Sequence, residues 1–128
     1  MKIEVSVGEV VDKITILQIK EERIKDPIKL VHIKKELNIL QETLSESLID
    51  VPQDMVDRIK DINTKLWDAE DILRNKEKDE VYDEEFIKCA VLDSVLNDSR
   101  FLVKNEINDH CQSNIKEQKS YEGLYKAK

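Results

Sequence analysis

Val7, Val10, Val11, Ile14, Leu17 and Ile24 recur at spacings of three, four or seven. That spacing places side chains on one face of a helix, and it predicts a first helix over Val7 to Lys25. Ser6 and Glu9 form a capping-box pattern at its start, where each side chain can satisfy an unpaired amide. Upstream, Lys2 to Val7 alternates polar and apolar residues, which predicts a short strand. No second strand is visible to pair with it. The segment is therefore either an extended arm or one half of a pairing with its own copy in a dimer.

Asp26-Pro27 punctuates the chain: Pro27 suits a first helical position and Asp26 the N-cap before it. Leu30, Ile33, Leu37, Leu40 and Leu44 then step by three and four, a coiled-coil-like seam. Asp50-Val51-Pro52 breaks it. A third helix from Pro52 to Lys78 carries Met55, Ile59, Ile62, Leu66, Ala69 and Leu73 in the same rhythm. The short break predicts that the second and third helices form a long antiparallel hairpin, Pro27–Lys78. Asp83-Glu84-Glu85 places acids where a helix dipole favours them, so a fourth helix starts there and reaches His110. A polar tail, Ile115 to Tyr125, offers Tyr121, Leu124 and Tyr125 as docking points. The expected fold is all-α: an antiparallel helical bundle on a long helical hairpin, with a short extended N-terminal segment, in one domain over residues 1–128. The sustained seam and the unpaired strand favour a homodimer.

Composition narrows the function more than the fold. The 128 residues hold 28 acidic and 21 basic side chains, net charge −7, with no region of opposite sign. An acidic chain is a poor partner for nucleic acid or anionic lipid. No apolar run is long enough to span a membrane, and the first residues lack a signal-peptide pattern. Cys89 and Cys111 are expected as reduced thiols in a cytoplasmic protein.

Candidate chemistry lies where polar residues interrupt the pattern. On the third helix Trp67, Glu70, Asp71, Arg74 and Glu77 flank the seam. Solvated ion pairing explains these charges, and core packing explains Trp67. On the fourth, Ser94 and Asp98 interrupt the face of Ile87, Val91 and Phe101, with Arg100, Lys104 and Asn108 following at steps of four. One explanation is a bend at Asn97-Asp98, with Asp98 capping a new helix. The other is a polar pocket in which Arg74, Arg100 and Lys104 face a small anionic ligand. Asp98 and Glu70 would fix these cations, and Lys13 would join from the first helix.

No metal or cofactor is expected. Neither His32 nor His110 stands in a Glu-x-x-His pair, the cysteines are far apart, and no glycine-rich loop exists. Two enzyme classes offer partial matches. Glu106-Ile107-Asn108-Asp109 has the second motif of helical nucleotide pyrophosphohydrolases, but the first motif is missing. Asp12 to Arg23 resembles the first helix of small chorismate mutases, without the upstream arginine. A module that docks on a protein partner is a further alternative.

Taken in order, the chain resembles an uncharacterised family of small helical proteins from marine bacteria, cyanobacteria and their tailed phages. The matching stretches are Met1 to Glu9 with Asp12 to Leu17, Leu66 to Arg74, Asn97 to Arg100 with Lys104 and Ile107-Asn108, and Glu117 to Tyr121. The resemblance implies weight on Asp12, Lys13, Glu70, Arg74, Asn97, Asp98, Arg100 and Lys104. Because members sit near sugar-transfer and surface-polysaccharide genes, it also implies a nucleotide-sugar or phosphate ligand.

Overall fold

The computed structural model describes residues 1–121. They form four helices: α1 Val7–Arg23, α2 Pro27–Glu46, α3 Gln53–Lys78 and α4 Glu84–His110. Three starts are capped as the sequence requires. Ser6 accepts the Glu9 amide, Asp26 the Ile28 amide and Asp83 the Phe86 amide. Pro52 opens α3 without a side-chain cap.

The fold is an antiparallel bundle on a long hairpin, but the hairpin is α3–α4. Both helices run about 40 Å at 1.5 Å per residue, and cross-links from Arg58–Glu106 through Asn63–Arg100 to Lys76–Asp83 fix their antiparallel register. The expected Pro27–Lys78 hairpin is corrected by the packing: α2 touches α1 and makes no close approach to α3. The α1–α2 link is too short to do other than fold α2 back along α1, so its seam is used there. Ile33 and Leu37 pack on Val10, Ile14 and Leu17. The second face of α1 places Val11 against Ile59, Val103 and Ile107. α1 thus joins two cores, which explains why its apolar residues cover more than one stripe.

Two further expectations change. Among the described residues no strand forms; Met1 to Val5 is exposed and unpaired by any ladder. The segment lies as an extended arm, since among the described residues no sheet edge exists to accept it. α4 also runs unbroken through Asn97-Asp98. Asn97 Nδ2 and Ser99 Oγ bond back to the carbonyls of Asp93 and Val95 within the continuous helix, so Asp98 caps no new helix. Ile87 and Val91, expected on the inner face, are 59% and 61% exposed, while Leu96, Phe101, Val103 and Ile107 are buried. The docking points Leu124 and Tyr125 lie outside the described residues.

Candidate functional site

α1 and α4 meet at unusually close range. Gly8 lies against α4 so closely that an added Cβ would stand 2.5 Å from the Lys104 carbonyl oxygen. Its N–H donates to Asn108 Oδ1 at 2.7 Å. The neighbouring Val7 amide donates to Ser113 Oγ, and that of Glu9 to Ser6 Oγ. The first-turn amides of α1 are thereby consumed within the chain, so this helix start offers no seat for an external anion.

One turn further, a network of side chains crosses three helices. Asn63 of α3 is buried, and its Nδ2 donates to Asp12 Oδ1 at 2.8 Å and Thr15 Oγ1 at 2.9 Å. Thr15 spends its own proton on the Asp12 carbonyl. With its amide nitrogen committed, Asn63 must turn its oxygen outward, and Arg100 donates to it at 3.2 Å. Asn97 is fixed in the same way. Its nitrogen donates to the Asp93 carbonyl and carboxylate, and its oxygen accepts from Arg100 at 2.5 Å. Arg100 is held by two neutral acceptors, and among the described residues no carboxylate lies within ion-pair distance of it. Its position is set by neutral acceptors, while the Glu70 carboxylate acts on its charge across the seam without forming an ion pair.

Lys104 is the opposite case. Its Nζ lies 2.7 Å from Glu9, 2.9 Å from Glu117 and 3.9 Å from Asp12. Burial works against its charge, but the hydrogen bonds to Glu9 and Glu117 outweigh it and raise Lys104 above the ordinary lysine range. Glu117 answers in kind. Burial pushes its carboxyl up, and the bonds from Lys104 and Lys119 more than reverse that, holding it below the usual range.

Of the six residues expected to form an anion site, the structure brings Arg100 and Lys104 to one pocket. Asn97, Arg100, Phe101, Lys104, Glu117 and Lys119 line it, between α4 and the tail. Glu70 and Arg74 lie on an exposed ridge of α3 with Leu73 and Glu77. Glu70 also faces α4: desolvation at the seam and a hydrogen bond with the Asp93 carboxyl raise it above the usual carboxylate range. Lys13 points to solvent, because its neighbours Asp12 and Ile14 take the buried directions. Asp98 is 2% exposed and, contrary to expectation, bonds neither Arg100 nor Lys104; its Oδ2 has no hydrogen-bond partner among the described residues. The orienting work falls to Asn63 and Asn97.

Asn63 was legible in principle, as a polar residue at a seam position four after Ile59. Glu9 and Glu117, 108 residues apart in the chain, carry no joint signal in the sequence. Trp67, expected in the core, is half-buried and borders a second cleft with Asn63, Leu66, Glu70 and Arg100. In that cleft Glu70, with Asp93 beside it, faces Arg100, so the guanidinium meets carboxylates of its own chain there. The tail pocket is lined by three cations and one carboxylate, with Glu9 and Asp12 behind Lys104.

A family model described as a family of unknown function, DUF6165, matches residues 1–126. The chain belongs to the DUF6165 family. The matched span takes in every residue of the network, including Glu117 and Lys119 in the tail. No curated protein and no solved structure matches the chain. Among the described residues of this DUF6165 member, no cluster of His, Cys, Asp and Glu could hold a metal ion, and no helix is long and apolar enough to cross a membrane.

Proposed function

We propose that this DUF6165 protein is a cytoplasmic binding or accessory protein whose tail pocket takes a small phosphorylated metabolite or a nucleotide sugar. The observation that carries the reading is Arg100, a guanidinium oriented by Asn63 and Asn97 that makes no ion pair with a carboxylate among the described residues. Neutral acceptors preserve its charge for an incoming anion, and the fork suits phosphate in a bidentate pose. Lys104 and Lys119 line the same pocket, both ion-paired with Glu117. The test is a thermal-shift screen of phosphorylated metabolites and nucleotide sugars. A ligand at a hundredfold excess over Kd stabilises the folded state by about 2.7 kcal/mol. A shift with one such class, lost in Arg100→Glu, supports the reading, and a flat screen contradicts it.

A homodimer is the second reading, and a different observation favours it. Ile87 and Val91 are successive exposed residues on the half of α4 beyond the reach of α1. A second copy placing its own hairpin there would complete a four-helix arrangement. Sedimentation equilibrium at micromolar protein decides it: a single 15 kDa species refutes the dimer.

A further inference from the structure

Residues 114–121 follow α4 without helical structure, yet the chain is fastened to the bundle at several points, including an ion pair from Lys116 to Asp109 at 2.6 Å. Ser113 is the root. Its amide donates to the Asn108 carbonyl at 2.8 Å, and its hydroxyl accepts from Val7 and donates to Ile115. Glu117 is the fastening inside the pocket. Lys104 Nζ lies 2.9 Å from its Oε1, and Lys119 Nζ lies 3.0 Å from its Oε2. The Lys119 ammonium also lies 5.8 Å from the centre of the Phe101 ring.

Lys104 does not need this partner, because Glu9 already meets it at 2.7 Å with Asp12 behind. What Glu117 adds is a carboxylate with both oxygens clamped, at the mouth of the pocket that Arg100 lines. A bound carboxylate or phosphate would present the same two-oxygen face. The chain therefore carries its own anion into the site.

We propose that Glu117 is an internal occupant of the anion pocket, which a phosphorylated ligand displaces, so that the segment 113–121 is a strap opened by binding. The proposal rests on the anion-binding reading above and adds a rule of selection. A tethered carboxylate competes at an effective concentration on the order of millimolar. A free monocarboxylate has nothing to offer Lys104 that Glu117 lacks, so it is excluded. A phosphoryl group brings more charge and a third oxygen, which Arg100 can take as well. The pocket admits phosphate-bearing ligands and rejects simple carboxylates.

The test uses inorganic pyrophosphate as probe, by calorimetric titration at low salt, on the full chain and its Glu117→Gln and Arg100→Lys variants. Removing the internal competitor is expected to tighten pyrophosphate about tenfold and to make acetate binding measurable. In the unaltered chain, pyrophosphate is expected to speed trypsin cleavage after Lys116 and Lys119 by releasing the strap. Binding that is weakened by Arg100→Lys but not tightened by Glu117→Gln overturns the strap and leaves the anion site standing. Cleavage that pyrophosphate slows overturns the strap equally. If pyrophosphate fails to bind both the parent and Glu117→Gln, or binds Arg100→Lys as well as the parent, the anion site falls and the strap with it. Glu117 lies outside the helices, so its substitution does not put folding at risk.

Discussion

The two halves of the α3–α4 hairpin use polar residues in different ways. Up to the Arg23–Asp68 pair, α1 lies against both helices, and Asn63, Arg100, Lys104 and Asn108 each bond to a side chain or amide of another helix. Beyond that pair the distal halves pack on each other and, apart from the desolvated Glu70–Asp93 contact at the seam, their charges form exposed pairs such as Lys88–Glu84. A third helix excludes water, so a hydrogen bond there is costly to leave unmade. In the two-helix half, solvent replaces any lost partner and an ion pair contributes about 0–1 kcal/mol. The difference teaches where function can be built. Orientation of a charge without neutralising it needs the excluded water of the three-helix half.

Substitutions sharpen the contrast in order of size. Gly8→Ala should be the most severe, since its Cβ meets the Lys104 carbonyl, a backbone atom that cannot swing aside. A loss of about 2–3 kcal/mol is expected, read by urea unfolding. A stability unchanged within error would mean that α1 and α4 are not so closely seated. Asn63→Leu should cost about 2 kcal/mol, because Asp12, Thr15 and Arg100 all lose a partner. Restored stability in the double variant Asn63→Leu/Arg100→Leu would locate that cost in the stranded guanidinium. Asp98→Asn runs the other way. A carboxylate 2% exposed with an unpartnered oxygen should give back about 1 kcal/mol on replacement by an amide; a destabilised variant would reveal a hidden partner.

Glu70→Gln has a smaller effect whose sign depends on pH. A carboxyl raised above its ordinary range binds its proton more tightly folded than unfolded. Its contribution to stability is greatest in acid and is lost as pH rises through the raised value. Glu117 is lowered, so its contribution is present at neutral pH and is lost as pH falls through its folded value. Glu70→Gln should therefore flatten the stability profile just above the ordinary carboxylate range, and Glu117→Gln should flatten it below. Chemical denaturation between pH 3 and pH 7 separates them. Smallest of all, Val91→Ser in the distal half should change stability by less than about 0.5 kcal/mol, as an exposed substitution. A larger loss that grows with protein concentration would point to the dimer instead.

The helices were legible because caps and apolar spacing are local. Ser6, Asp26-Pro27 and Asp83 mark their starts, and the seams of α2 and α3 are continuous. Which seams meet was not legible. α2 and α3 show the same rhythm, and nothing in it says that α2 spends its stripe on α1 rather than on α3. The site was legible in part for a related reason. Arg100 and Lys104 stood out by charge at helical spacing, whereas the residues that set their properties do not look charged or lie far off in sequence. Asn63 and Asn97 are ordinary amides until their nitrogens are seen to be committed. Glu117, in a tail without periodicity, gains its meaning only by lying across α4.

The most direct test of the account is a nitrogen–proton NMR titration with inorganic pyrophosphate that follows the Arg100 side-chain Nε–H and the backbone amides together. Shifts confined to the Arg100 side chain, residues 97–104 of α4 and residues 113–121 of the tail are the expected result. Shifts spread over exposed lysines such as Lys13, Lys34 and Lys35, with Arg100 unmoved, would contradict it.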